Sequence, residues 1–176
     1  FDPTGKEPRA LLWSLDSGMG SSEPSGYDWI KPDQLQWFMD EYDRNADGSE
    51  LTSLVFFHIP LFEYERVWEE LPCAGYCHEK VCFQGKNIGQ MGAFRDRAHG
   101  CFVGHEHVND YEGDWQGVKL CYGRGSGYGA YGREGFARGA RVIKLNSDAP
   151  GFESHIRLHD GTLAERPLHE PDGNKA

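Results

Sequence analysis

Three histidines, His58, His105 and His107, are the residues best suited to chemistry in this chain. His105 and His107 flank Glu106 directly after a short apolar run, and His58 directly follows the apolar run 54–57. Such runs are typical of buried strands, and ligands of open α/β sheets bind beyond the carboxyl ends of strands. We therefore expect His58 and His105 to face one crevice. On a turn, His105 and His107 can face different points, which favours two metal ions over one.

Length and charge limit the classes of protein to which the chain can belong. With 176 residues it fits one domain, and we assign 1–165 to that domain and expect 166–176 to be a loose tail. The formal net charge of -10 argues against a nucleic-acid-binding surface, which needs clustered Lys and Arg. No apolar run approaches the roughly 18 residues of a membrane span. Because the chain opens at Phe1 with neither an initiator Met nor a signal peptide, we expect a mature or cut piece.

Apolar periodicity predicts an α/β chain. Residues 32–43 are predicted to form an amphipathic helix, because apolar residues recur at i, i+3, i+4 and i+7 after a proline in the first turn. Its buried face comprises Leu35, Phe38, Met39 and Tyr42. A second, acidic helix is expected around 63–71. Buried strands are predicted at 10–15, 54–57, 101–104, 118–122, 140–145 and 152–158.

The cysteines suggest a compartment. They are Cys73, Cys77, Cys82, Cys101 and Cys121. Two disulfides and one leftover thiol in a secreted, extracellular or lumenal protein are the interpretation that we favour. Unpaired buried thiols are one alternative, and a zinc site is another, although the spacing within 73–82 matches structural zinc sites poorly.

A glycine-rich run at 123–132 follows the predicted strand 118–122 and includes Tyr128 and Tyr131. One interpretation makes this run, together with Tyr122, a wall of the site. The other is that its glycines allow tight turns beside a sheet edge.

The residues around the histidines resemble a known family. Phe56-Phe57-His58-Ile59-Pro60 and Gly104-His105-Glu106-His107 look like the last two ligand motifs of the calcineurin-like metallophosphoesterases. Four surrounding blocks are similar to the purple-acid-phosphatase-related branch, namely Tyr27 to Gln34, His58 to Tyr64, Gly104 to Tyr111, and Leu120 to Gly132. The resemblance as a whole runs from about Leu11 to Leu145.

This resemblance implies a fold and a site. The fold would be the C-terminal half of a metallophosphoesterase αββα sandwich, in which helices flank mixed sheets. His58 and His105 would bind one metal ion and His107 the other, with iron, zinc or manganese as candidates. Glu106 and Asn109 would line the substrate pocket. The implied reaction is hydrolysis of phosphate esters by water that the two metals activate.

The resemblance is incomplete, because the family's earlier ligand motifs are absent. Residues 1–57 contain no histidine, and the aspartate that bridges both metals in the family has no counterpart. We therefore expect a partner, namely the missing N-terminal half, as a separate chain, a cleaved piece or a segment not included. Two alternatives stay open. The assembly is an inactive binding or structural module, or the chain is a self-contained domain with a three-histidine zinc site.

Overall fold

The computed structural model describes residues 5, 8–46, 51–146 and 148–171. In chain order its strands are β1 (Ala10–Ser14), β2 (Gly20–Ser22), β3 (Ser25–Tyr27), β4 (Thr52–Phe56), β5 (Cys73–Ala74), β6 (Gly100–Val103), β7 (Glu112–Trp115), β8 (Val118–Tyr122), β9 (Gly139–Leu145), β10 (Phe152–Leu158) and β11 (Leu168–His169). Its helices are α1 (Pro32–Ala46), α2 (Phe62–Glu70) and α3 (Gln90–Arg95). The six predicted strands are confirmed, with ends that shift by at most two residues.

Seven of the strands form one mixed sheet in the order β1-β4-β6-β8-β7-β5-β11. The first four run parallel, and β7, β5 and β11 follow, each pairing antiparallel with the strand before it. Because β4 and β6 are parallel neighbours, their carboxyl ends lie side by side at one edge of the sheet. The backbone continues this pairing beyond the strands, since Gly104 N donates to His58 O at 3.2 Å.

Both faces of the central parallel strands β4, β6 and β8 are buried, which explains why these strands are mostly apolar. On one face Val55, Cys101 and Leu120 pack with core residues of the helices, including Phe38 and Phe94. The opposite face forms a second cluster with the β9–β10 hairpin. That cluster comprises Leu54, Phe102 and Cys121, with Phe56, Ile143 and Phe152 packed against it. The fold is therefore a large mixed sheet with helices on one side and a small β layer on the other.

The helix predictions are confirmed with one change of length. Helix α1 continues to Ala46, three residues beyond the predicted end. Leu35 and Phe38 are buried, whereas Met39 and Tyr42 are partly buried against the same core. None of the helices in the described residues is long and apolar enough to cross a membrane.

The expectation of a loose tail from residue 166 is wrong for residues 166–171. Strand β11 pairs antiparallel with β5, and Gly75 N donates to Pro167 O at 2.9 Å. The His169 ring stacks on Trp68 with 3.8 Å between ring centroids, and its Nε2 lies 2.8 Å from Trp68 O. A two-residue edge strand leaves almost no apolar pattern, which is why sequence periodicity missed it. Residues 172–176 lie outside the described part of the chain.

The expectation of two disulfides is also wrong, because all five cysteines lie in the described residues as free thiols. Cys101 and Cys121 stand on neighbouring strands but face opposite sides of the sheet, since Cys101 pairs with Leu120 and Cys121 pairs with Phe102. Burial raises the pKa of Cys73, Cys77 and Cys121 to about 12. The unpaired-thiol alternative therefore fits, and the argument for an oxidising compartment loses its support.

A buried ion cluster fastens the β9–β10 hairpin and the C-terminal segment to the large sheet. Glu112 Oε2 on β7 accepts from Arg141 Nη1 at 2.6 Å and from Ser154 Oγ at 2.8 Å, and Arg166 Nη2 lies 2.9 Å away. Burial raises the pKa of Glu112, but Arg141 and Arg166 outweigh burial and hold that pKa below its ordinary value. One carboxylate thus connects three separate segments.

We expect Glu112→Gln to lower the free energy of unfolding by about 3 kcal/mol at pH 7, because it leaves the buried guanidinium of Arg141 and the partly buried one of Arg166 without their counter-charge. Urea unfolding of the full-length protein measures this change. The matched control is Glu153→Gln, which breaks the exposed 3.4 Å pair with Lys144 and should cost less than about 1 kcal/mol. Equal losses in the two variants would contradict a special role for Glu112.

The same cluster predicts a pH dependence. A lowered pKa means that Glu112 stabilises the folded state above its unfolded-state pKa of roughly 4.3, and that this stabilisation is lost as pH falls through the lower folded-state pKa. The difference in unfolding free energy between wild type and Glu112→Gln should therefore shrink below about pH 4. A difference that grows on acidification would show that the sign is wrong.

Candidate functional site

The loop after β4 is fixed before it presents His58. The backbone N–H groups of His58 and Ile59 donate to Ser17 Oγ at 3.3 and 2.9 Å. Gln84 holds the same loop from the other side, because its Nε2 donates to Ile59 O and its backbone N–H donates to Pro60 O, both at 2.9 Å. His58 therefore extends from a backbone that two separate segments hold in place.

His105 reaches the same place through an unusual backbone conformation. Its φ of 77° lies in the left-handed region, which a non-glycine residue adopts at an energetic cost. Gly104 before it allows a close approach, because a Cβ at that position would lie 3.3 Å from His58 Nδ1. Strain of this kind is typical of functional sites.

The two imidazoles converge on one point. His105 Nδ1 lies 3.3 Å from His58 Nε2, and the ring planes are nearly perpendicular at 86°. Two nitrogen ligands of one tetrahedral ion, each about 2.0–2.1 Å from it, are about 3.4 Å apart. Geometry alone therefore fits two ligands of a single cation.

Electrostatics favours the neutral form of both rings. Burial lowers the pKa of His58, and His105 lowers it further. For His105 itself, burial and then His107 lower the pKa. A metal ligand must be a neutral imidazole, so both side chains are poised for ligation near neutral pH.

Tyr27 forms one side of this histidine pair and was missed from sequence. Its ring packs edge-on against His105 with 4.4 Å between centroids and 90° between planes. Strand β3 carries Tyr27, and Gly85 N fixes that strand by donating to Tyr27 O at 3.1 Å. Tyr27 lay in a block that resembled the family, but nothing in its spacing tied it to His105.

His107 does not join the other two histidines in one ligand group. No cluster of three or more His, Cys, Asp or Glu side chains suited to a metal ion occurs among the described residues. The His107 ring instead stacks on Tyr131, with 4.2 Å between centroids and 14° between planes. A self-contained three-histidine zinc site is therefore not formed, and neither is a zinc site in the cysteine-rich segment.

The pocket role expected for Glu106 and Asn109 requires correction. Glu106 is 3% exposed, and its carboxylate accepts from Tyr122 Oη at 2.5 Å and from Cys82 N at 2.9 Å. Asn109 is fully buried, and its Oδ1 accepts from the backbone N–H groups of His78 and Glu79. Both side chains are buried and hold the cysteine-rich segment, so neither is exposed to a substrate, but Glu106 Oε1 also lies 4.0 Å from His105 Nε2 and so adjoins a predicted ligand.

The glycine-rich run lies beside one of the three histidines. Gly125 N donates to His107 O at 3.2 Å, and Tyr131 stacks on the His107 ring. Tyr122 bonds the Glu106 carboxylate, whereas Tyr128 is exposed. The run therefore contributes two direct neighbours of a predicted ligand, and its role as a wall of the site stays a prediction.

Comparison with known proteins identifies relatives of the chain, although no family model matches it. The chain is 39% identical over 148 residues to the probable inactive purple acid phosphatase 29 of Arabidopsis thaliana, which covers 77% of the chain and 38% of the relative. For the probable inactive purple acid phosphatase 28 of the same plant the identity is 38%, over 67% of the chain and 31% of the relative. Phosphatase DCR2 of Saccharomyces cerevisiae is 32% identical over 86% of the chain and 29% of its own length.

The chain thus spans about a third of the length of the curated relatives that it matches. A solved dimetal phosphatase from Danio rerio covers 81% of the chain and 39% of its own length at 16% identity, with a TM-score of 0.43, a likeness too weak to carry an argument. The sequence relatives are sufficient to assign the family, since the identity to them extends over most of the chain. The chain belongs to the purple-acid-phosphatase-related proteins.

Proposed function

We propose that this chain supplies histidine ligands to the two-metal site of a metallophosphoesterase domain, and that the complete domain hydrolyses phosphate esters. The observation that carries the proposal is the 3.3 Å convergence of His58 Nε2 and His105 Nδ1. A structural role does not require two neutral imidazoles to be aimed at one point by a strained backbone. The relatives, among which is a protein named a phosphatase, support the same class of reaction.

Each histidine has a distinct role in this proposal. His58 and His105 would hold one ion through the two nitrogens that lie 3.3 Å apart, and His107 would hold the second. Iron, zinc and manganese all accept imidazole, so the other ligands decide which metal binds. When bound, the ions supply Lewis-acid stabilisation of the phosphoryl oxygens and an activated water. Ser17 and Gly104 position the two converging rings, and Tyr27 shields one side of His105 from solvent.

The ligands that this chain lacks are proposed to come from an N-terminal half of the domain. Imidazoles are neutral, so two closely spaced cations need anionic ligands between them. The large sheet offers a place for the missing half, because β1 is its terminal strand. Leu12 on β1 is 62% exposed, although its neighbour Leu54 on the same face is buried. An added strand would cover both the strand edge and this apolar side chain.

A second candidate function is an inactive module that uses the fold for binding or structure. Its support is that His107 does not form one ligand group with His58 and His105 in the described residues. Three relatives are named probable inactive purple acid phosphatases.

A secreted or lumenal location stays a prediction, since the free thiols withdraw the disulfide argument on which it depended.

His105→Ala in the full-length protein should remove one bound metal ion and lower phosphate-ester hydrolysis by at least about 100-fold, because one ligand of a catalytic ion is lost. Metal analysis and hydrolysis of a chromogenic phosphate ester measure the two effects. The control is His159→Ala, which removes an exposed histidine and should retain wild-type metal content and rate. If both variants keep the wild-type metal content and full activity, the metal-site proposal is rejected. Metal binding without hydrolysis in wild type would favour the inactive module.

Residues 1–176 expressed alone should aggregate or co-purify with a complementary piece, because no strand of the described residues pairs with the outer edge of β1 and Leu12 is exposed. Size-exclusion chromatography of the fragment, with and without an added N-terminal half, measures this. Leu12→Lys should improve recovery of the fragment, and Leu163→Lys, at a similarly exposed leucine away from β1, serves as the control. A well-behaved monomer with a cooperative thermal transition would contradict the missing-half proposal.

A further inference from the structure

The surroundings of His107 indicate a positioning residue for the proposed metal site. We propose that Tyr131, held by Glu79, keeps the His107 ring in one orientation with its hydrogen on Nδ1, so that the Nε2 lone pair is free to bind a metal. The proton placement stands on the contacts of His107 alone. The use of the free lone pair as a ligand rests on the proposed function.

The proton placement follows from the partner of Nδ1. His107 Nδ1 lies 3.2 Å from the backbone carbonyl oxygen of Tyr131. A carbonyl oxygen only accepts hydrogen bonds, so this contact is a hydrogen bond only when Nδ1 carries the hydrogen. In neutral imidazole the lone pair is then on Nε2. Ligating histidines commonly donate their other ring N–H to a carbonyl in this way, which fixes the tautomer and the ring orientation.

That carbonyl is itself held in place. Arg138 Nη2 donates to Tyr131 O at 2.9 Å and to Ala130 O at 2.6 Å. A carbonyl oxygen has two lone pairs, so it accepts from Arg138 and from His107 together. The orientation of the His107 ring is therefore set by a backbone that a guanidinium group fixes.

The side chain of Tyr131 holds the same ring from its face. The two rings are nearly parallel at 14°, and His107 N donates to Tyr131 Oη at 3.3 Å. Tyr131 Oη lies 2.9 and 3.0 Å from the two carboxylate oxygens of Glu79. Glu79 is anchored in turn, because its backbone N–H and C=O bond the side chain of the buried Asn109. Asn109, wrongly expected in the pocket, thus supports the residue that holds Tyr131.

The loop that carries Tyr131 passes close to the backbone of His107. A Cβ at Gly125 would lie 2.9 Å from His107 O and 3.2 Å from His107 Cβ. Only glycine allows the loop to pass here without displacing the histidine. The glycine is therefore part of the same positioning arrangement.

Burial does not explain these contacts, because Tyr131 is 54% exposed. Tyr128 in the same loop is 73% exposed, and its ring lies 6.2 Å from the ring of the exposed His159. The two tyrosines of this loop thus differ in that Tyr131 is bonded to a carboxylate and stacked on a predicted ligand. Tyr128 is the natural control for Tyr131.

The test reads the tautomer of His107 directly in the metal-free, full-length protein. Long-range 1H–15N spectra at about pH 9, where imidazoles are neutral, distinguish Nδ1–H from Nε2–H. His107→Gln identifies the resonances. We expect Nδ1–H in wild type and in Tyr128→Ala, and a mixture of both tautomers in Tyr131→Phe, which keeps the stacked ring but loses the hydroxyl bonds to Glu79. Tyr131→Ala keeps the backbone carbonyl but loses both the ring and the bonds to Glu79, so it should shift His107 further towards Nε2–H, the form that free imidazole favours in water. Nε2–H in wild type, or an unchanged tautomer in Tyr131→Ala, would overturn the proposal.

Metal titration of the same proteins separates this inference from the proposed function. Tyr131→Ala should weaken the binding of one metal ion by about 10- to 100-fold and leave the other unchanged, whereas Tyr128→Ala should bind both as wild type does. Equal affinities in all variants would show that Tyr131 is not a positioning residue for a ligand. If wild type has the Nδ1–H tautomer but binds no metal, the proposed function fails while the placement of the His107 proton is confirmed.

Discussion

The parallel pairing of β4 with β6 is the constraint on which the site depends. Its register sets Phe56 opposite Phe102, so that the chain reaches His58 and His105 just beyond the same sheet edge. Burial on both faces fixes this register, because a one-residue slip would exchange the residues packed on the helices with those packed on the β9–β10 hairpin. The 3.3 Å separation of the two imidazole nitrogens is thus a consequence of core packing.

The parts of the structure that sequence predicted well are those that repeat a pattern. Near-continuous apolar runs marked the buried strands, and the spacing of apolar residues marked α1. The convergence of His58 and His105 followed from their places at two strand ends. The partners of His107 were beyond such reasoning, since Tyr131 lies 24 positions away and its approach depends on glycines in an irregular loop. Tyr27 meets His105 through a short hairpin whose exposed residues carry no apolar period.

The expectations for the pocket and for the disulfides were wrong for a related reason, since neither could take side-chain direction into account. Glu106 and Asn109 are close in sequence to predicted ligands, yet both side chains are buried inside the protein. Cys101 and Cys121 are near in space, but strand alternation separates them across the sheet. The sequence did not show the direction of these side chains, which depends on turn geometry and on the face of the strand that each residue occupies.

The proposed site therefore has two halves of different rigidity. The half formed by His58 and His105 is built on central strands, where core packing holds ligands most firmly. His107 depends on a glycine-rich loop, a tyrosine and a carboxylate that are all partly exposed. Loops tolerate sequence change better than buried strands do. A few substitutions in the loop would free His107 without disturbing the fold or the first pair of histidines. In the proposed site, such a division would let substitutions in the loop alter the second metal position while His58 and His105 keep their places on the central strands.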